Sequence, residues 1–121
     1  MNTYLLNIIP VLPSANIARD IAWYNEKAGF TTHFSDNMYA IIYRDKLIIH
    51  LQWHADTDND PLLGGSVIRI QVKDIKPLFD ELVQRGTVNA DAFKTNTPWN
   101  TNEFGFFDLN KNAIFIMEDV A

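Results

Sequence analysis

The chain has no cysteine. That absence removes disulfides, thiolate nucleophiles and cysteine-based zinc centres together. A basic excess is also missing: 10 Lys and Arg stand against 15 Asp and Glu, for a net charge of −5. A nucleic-acid binder would normally carry a basic face, so no nucleic-acid partner is expected. The acidic balance serves solubility and, in the sharper reading, attracts a cationic ligand. No apolar run approaches the roughly 18 residues that a membrane-spanning helix needs. Residues 1–13 lack the basic start and long apolar core of a signal peptide. A soluble, cytoplasmic protein without a membrane partner is the expectation. Serine is limited to Ser14, Ser35 and Ser66, none with a recognisable base partner, and no glycine-rich phosphate loop is present.

What is there suits one globular domain, 1–121, with a real core: 121 residues, 47% hydrophobic and 21% charged. The organising stretch runs from Ile8 to Phe30. It reads as a short apolar strand, a polar turn, a helix capped by Asn16, and a stop at Gly29. Ile17, Ile21, Tyr24 and Ala28 recur at helical spacing and form one apolar stripe. The same arrangement returns later. After the strand-like run Val67–Val72, Asp74 takes the place of Asn16, while Ile75, Leu78, Phe79 and Leu82 form the stripe and Gly86 the stop. Asn16 and Asp74 lie 58 positions apart, Gly29 and Gly86 57 apart, so one supersecondary unit is used twice.

The first module, 1–54, is predicted as β-α-β-β-β. Its strands are Tyr4–Leu12, Phe30–Phe34, Met38–Tyr43 and Lys46–Trp53. Residues 55–65 are polar, carry proline and glycine, and read as a linker. The second module, 66–121, has a first strand at Ser66–Val72, a helix after Asp74, and a short strand around Phe93–Thr95. Its last strands are Glu103–Phe107 and Ala113–Glu118. Alternation sends Leu47, Ile49, Leu51, Ile68, Ile70, Ile114 and Ile116 toward the helices. It leaves Ile48, His50, Gln52, Val67, Arg69, Gln71, Phe115 and Met117 on the other, concave side, where an apolar groove with a few polar groups suits a small molecule.

Two segments carry a family likeness. PVLPSANIARDIAWYNEKAGF, from Pro10 to Phe30, is similar to a strand, a "PS-x-D/N" turn and an "FY…LGF" helix. PWNTNEFGFFDLNKNAIFIMED, from Pro98 to Asp119, is similar to "PWG-x-x-EF…DP-x-GN…F-x-E". In these the chain resembles the glyoxalase/bleomycin resistance protein/dioxygenase (vicinal oxygen chelate) superfamily, and within it the bleomycin-resistance branch. The resemblance implies an α+β fold of two βαβββ modules forming a curved mixed sheet with helices on the outer face. It also implies a homodimer whose modules combine across chains. Catalytic members place metal ligands on the concave face, at positions that carry over to Ile9, His50, Val67 and Phe115. Three of these are apolar, so no metal, no cofactor and no catalytic residue are assigned.

The ligand site is expected at His50, Gln52, Trp53, Arg69, Trp99, Glu103 and Phe115. Flat aromatic faces stack on planar rings and attract cations, the latter worth roughly 0.5–2 kcal/mol. Trp99 sits in a polar loop where no core role is needed. Arg69, inward on a strand, must pair with a carboxylate such as Glu103 or meet an anionic ligand. The expected function is sequestration of a drug-like molecule, planar or cationic, in an aromatic-lined groove at a dimer interface without a catalytic metal. The alternative is a glyoxalase-like lyase, isomerase or dioxygenase using a metal or His50 as base. A ligand-free structural dimer is a third reading, which a groove filled by its own side chains would favour.

Overall fold

The computed structural model describes residues 2–62 and 65–120; Leu63 and Gly64, in the expected linker, lie outside them. Strand β1 (Val11–Ser14) leads into helix α1 (Ile17–Ala28). Asn16 has extended backbone and its side chain accepts the Arg19 N–H at 3.0 Å, satisfying one of the orphan donors of the first turn. Gly29 closes the helix at φ 74°, and a Cβ there would lie 2.7 Å from Arg44 Nη1. The backbone angle therefore calls for glycine, and a Cβ would also displace the end of the Arg44 side chain. Strands β2 (Thr31–Ser35), β3 (Tyr39–Arg44) and β4 (Leu47–Trp53) complete the module. The sheet order is β1-β4-β3-β2, with β1 parallel to β4 and the other pairs antiparallel.

The second module repeats this plan with β5 (Val67–Gln71), α2 (Ile75–Gln84), β6 (Thr101–Phe107) and β7 (Ala113–Asp119). Its order is β5-β7-β6, again with the first and last strands parallel. A single bridge from Lys94 to Glu103 stands where the outer strand lies in the first module. The fold is therefore α+β, two modules each with one helix against its own mixed sheet. Among the described residues, no helix is long and apolar enough to cross a membrane.

Three sequence expectations change. The first strand begins at Val11 rather than Tyr4, because residues 2–9 have no ladder partner and stand exposed, Leu5 at 97%. Pro10 lacks an N–H, and only its carbonyl joins the sheet, accepting from the His50 N–H at 3.0 Å. Asp74 does not cap α2. Its backbone is left-handed, at φ 63°, and its side chain makes no capping bond; Glu118 Oε1, reaching from β7, accepts the Ile75 N–H at 3.0 Å instead. The expected strand around Phe93–Thr95 shrinks to the Lys94 bridge, since Asn96 and its neighbours turn away into a loop.

Alternation holds on the helix-facing side of both sheets. Ile49, Leu51, Ile114 and Ile116 are buried toward the helices, with Ile17 and Tyr24 of α1 and Ile75, Phe79 and Leu82 of α2. These belong to one core cluster that includes both modules. A polar latch closes its rim. Tyr24 on α1 donates its hydroxyl to Asp108 Oδ2 at 2.6 Å, and Asn112 Nδ2 donates to the same oxygen at 2.7 Å. The Asn110 and Asn112 backbone N–H groups cover Asp108 Oδ1. Asn110 also donates to Asp20 Oδ2, which accepts the Ser14 hydroxyl as well, and Arg19 Nε covers Asp20 Oδ1. Asp20 and Asp108 are thus buried yet held by donors from both modules, the condition for a buried carboxylate to be tolerated. Burial and the adjacent Asp108 push the Tyr24 phenol well above its ordinary pKa.

A second clasp joins the helices' C-terminal ends. Arg44 makes two bonds of 2.8 Å to Glu81 and one of 2.9 Å to the Ala28 carbonyl, while Arg85 donates to the Glu26 carbonyl at 2.9 Å. Cations at the last turn of α1 complement its dipole. The Arg44 bond, opposed by burial and aided by Arg85, holds the Glu81 carboxyl below the usual range.

Two outcomes follow. Tyr24→Phe removes one donor from a buried carboxylate and should lower stability by about 1–3 kcal/mol in urea denaturation. Because the folded-state pKa of Glu81 is depressed, its stabilising contribution is present above the ordinary Glu pKa and is lost as pH falls through the folded value. Arg44→Met should therefore flatten part of the stability loss between about pH 5 and pH 3 seen in the parent.

Candidate ligand site

Each sheet turns one face toward its helix and leaves the other open. On the open face of the second module, register brings Glu103 opposite Met117, and Gly105 opposite Phe115, with Arg69 beside Phe115 on the parallel strand. Glu103 Oε1 accepts three bonds: from Trp99 Nε1 at 2.6 Å, from the Thr101 hydroxyl at 2.6 Å and from Arg69 Nη2 at 3.1 Å. Burial works to raise the Glu103 pKa. The three donors, Thr101, Trp99 and Arg69, outweigh it and hold the carboxyl below the usual range.

Arg69 also lies over the Phe115 ring, 5.4 Å from its centroid. A Cβ on Gly105 would come within 2.7 Å of Phe115 Cδ1, so the ring rests against bare backbone. Gly105, Phe115 and Arg69 thus form a stack, and a strand glycine marks the close approach. Trp99 is 61% exposed, and its indole N–H is tied to Glu103. A hollow of about 280 Å³ runs along this face, with Lys94, Glu103 and Phe115 among its walls.

The open face of the first module is different in kind. His50 Nδ1 and the Tyr39 hydroxyl share a hydrogen bond of 2.7 Å, with the two rings edge to face. Gln52 lies exposed opposite Tyr39. Trp53 points to the other side, packs against the core, and donates its indole N–H to the Ala15 carbonyl at 3.1 Å. Of the expected site residues, Arg69, Trp99, Glu103 and Phe115 are therefore gathered in one cluster. His50 and Gln52 lie on the other module, and Trp53 lies at the core. Thr101, Lys94 and Gly105 were not anticipated; a glycine inside the strand run TNEFGFF was the one available signal.

The residues do not fit a resident metal. Ile9, Val67 and Phe115 offer no donor atoms, and His50 Nδ1 is bonded to Tyr39. Among the described residues no group of three or more His, Asp or Glu could hold an ion.

Comparison with known proteins agrees with this architecture. The solved bleomycin resistance determinant encoded on the transposon Tn5 superposes with a TM-score of 0.80 and 18% identity, over 95% of this chain and 98% of that one. The chain has the bleomycin-resistance-protein fold. The bleomycin-binding protein of Streptomyces verticillus, solved with copper(II)-bleomycin, matches at a TM-score of 0.72 and 20% identity, over 99% of each chain. In sequence, a bleomycin resistance protein of Geobacillus stearothermophilus is 23% identical over 130 residues, covering 96% of this chain and 98% of the relative. No protein-family model matches the chain. The likeness to the bleomycin-resistance branch thus spans nearly the whole chain in both sequence and fold.

Gly105→Ala should push the Phe115 ring aside, breaking its stack with Arg69. An overpacking loss of about 1–3 kcal/mol is expected in thermal or urea denaturation, with a changed near-ultraviolet circular dichroism band.

Proposed function

We propose that this protein binds a small, flat organic molecule and holds it without turnover, in the manner of the bleomycin resistance proteins it resembles. One observation carries the reading: Trp99, Arg69 and Phe115 are drawn together around a buried Glu103 on an open strand face. Aromatic and guanidinium surfaces held in fixed positions suit recognition of a planar ring. The apolar residues at Ile9, Val67 and Phe115 argue against metal-dependent lyase, isomerase or dioxygenase chemistry.

We further propose a homodimer in which the open face of one module meets that of the other module in a second copy. Tyr4, Leu6 and Ile8 are each at least 79% exposed on the segment before β1, and burying such side chains is the main gain a partner surface offers. His50 and Gln52 would then join Arg69, Trp99 and Phe115 in one groove. The cysteine-free composition suits the cytoplasm. A second reading, acid–base catalysis without metal, rests on the Tyr39–His50 bond alone.

Titration with bleomycin should quench tryptophan fluorescence with a Kd of about 1 μM or tighter. Trp99→Ala should weaken that binding about tenfold or more, since exposed aromatic anchors dominate such sites. Unchanged fluorescence at saturating drug would exclude bleomycin as the ligand.

A further inference from the structure

Taking the ligand-binding reading as its basis, the geometry points to Glu103 as a positioning residue rather than a ligand contact. It fixes Trp99 and Arg69 as two flat platforms, and so selects planar aromatic ligands that carry an acidic or hydrogen-bond-accepting substituent. We infer this from how its carboxylate is used. The Glu103 side chain is 7% exposed, and Trp99, Thr101 and Arg69 all converge on its Oε1. A carboxylate so enclosed, with a guanidinium beside it, has little field left to draw a cation from solvent.

Arg69 is in the opposite condition. Its side chain is 40% exposed, and among the described residues it makes one hydrogen bond, to Glu103. Most of its N–H groups remain for a ligand, and the guanidinium already rests over Phe115 and is tied to Glu103. A guanidinium held this way suits a carboxylate, a sulfonate or a ring carbonyl more than an ammonium group. Lys94, exposed and paired through its backbone with Glu103, adds positive charge on the same strand face, in the hollow walled by Glu103 and Phe115. The remaining acid on this face, Asp119, accepts from Gln71 Nε2 at 2.6 Å. Two cations, Arg69 and Lys94, thus stand against two carboxylates, Glu103 and Asp119, so this face is locally neutral in a chain of net charge −5.

The indole is the second platform. With its N–H on Glu103, Trp99 keeps one orientation although its ring is 61% exposed. Pre-setting an exposed ring lowers the ordering loss on binding, which benefits every planar ligand whatever its charge.

The test uses the full-length protein and three compounds sharing one ring system: naphthoate, naphthamide and naphthylmethylammonium. Isothermal titration calorimetry should rank them naphthoate, naphthamide, then the ammonium, with about a tenfold span between the ends. Glu103→Gln should weaken the uncharged naphthamide about fivefold, the equivalent of one net hydrogen bond, and shift or broaden the Trp99 indole N–H resonance of the free protein. Trp99→Phe, in an exposed loop and so safe for folding, keeps a ring but not the tether. It should weaken naphthamide by a similar factor, whereas a simple contact role would leave it nearly unchanged. Arg69→Met should erase the preference for naphthoate over naphthamide. Tighter binding of the ammonium overturns the proposal. So does an unchanged naphthamide affinity in both Glu103→Gln and Trp99→Phe. If bleomycin binds while the naphthyl series shows no binding, this inference falls alone; if none of the four compounds binds, the ligand-binding reading falls with it.

Discussion

The two modules are held as one body by carboxylates that neither could bury alone. Asp20 belongs to the first module and needs Asn110 from the second; Asp108 belongs to the second and needs Tyr24 from the first. Taking either group out of water is affordable only because donors converge on it at hydrogen-bond distance. This reciprocal dependence fixes how α1 sits over the β6–β7 turn. It also sets the level at which Tyr24 enters the apolar core beneath. The Arg44–Glu81 clasp at the far ends of the helices then removes the remaining freedom to rotate.

With that frame set, the open strand faces are what the rest of the molecule leaves exposed. A strand alternates its side chains, so filling one face with Ile49, Leu51, Ile114 and Ile116 leaves His50, Gln52, Arg69 and Phe115 on the other. The proposed ligand cluster therefore sits on strand ladders rather than on loops, with Trp99 as the exception, and Trp99 is returned to the sheet by its bond to Glu103. Electrostatics refine the arrangement. The Glu103 carboxylate is enclosed by its neighbours, while the Arg69 guanidinium that pairs with it stays accessible.

Much of this was legible in the residues. The repeated strand–turn–helix–glycine pattern exposed the duplication because each of its parts has a local physical cause: a cap, a stripe and a left-handed stop. Facing was legible too, since period-two alternation needs no tertiary knowledge. What escaped the sequence was set by partners distant along the chain. Asp74 looked like Asn16, but its cap is supplied by Glu118 from another strand. Residues 4–9 looked like strand because they are apolar and extended by composition, yet a strand exists only where a neighbour accepts its hydrogen bonds. The latch was invisible for the same reason: Ser14, Asp20 and the turn DLNKN read as ordinary surface punctuation until the fold brings them together. Of the candidate site, Arg69 with Glu103 was foreseen as a pairing option, whereas Trp53 shows how one step along a strand moves an aromatic from groove to core.

The latch has a consequence for how the chain reaches its native state. Its bonds between the modules connect positions 84 to 99 residues apart, so they cannot form until nearly the whole chain has been synthesised. A half-made chain holds Asp20 and Tyr24 without their distant partners. Duplicated architecture would suggest two units melting in turn, as in repeat arrays. Here the wiring favours one joint unfolding event over two, with the turn at residues 108–112 acting as the keystone of the N-terminal half.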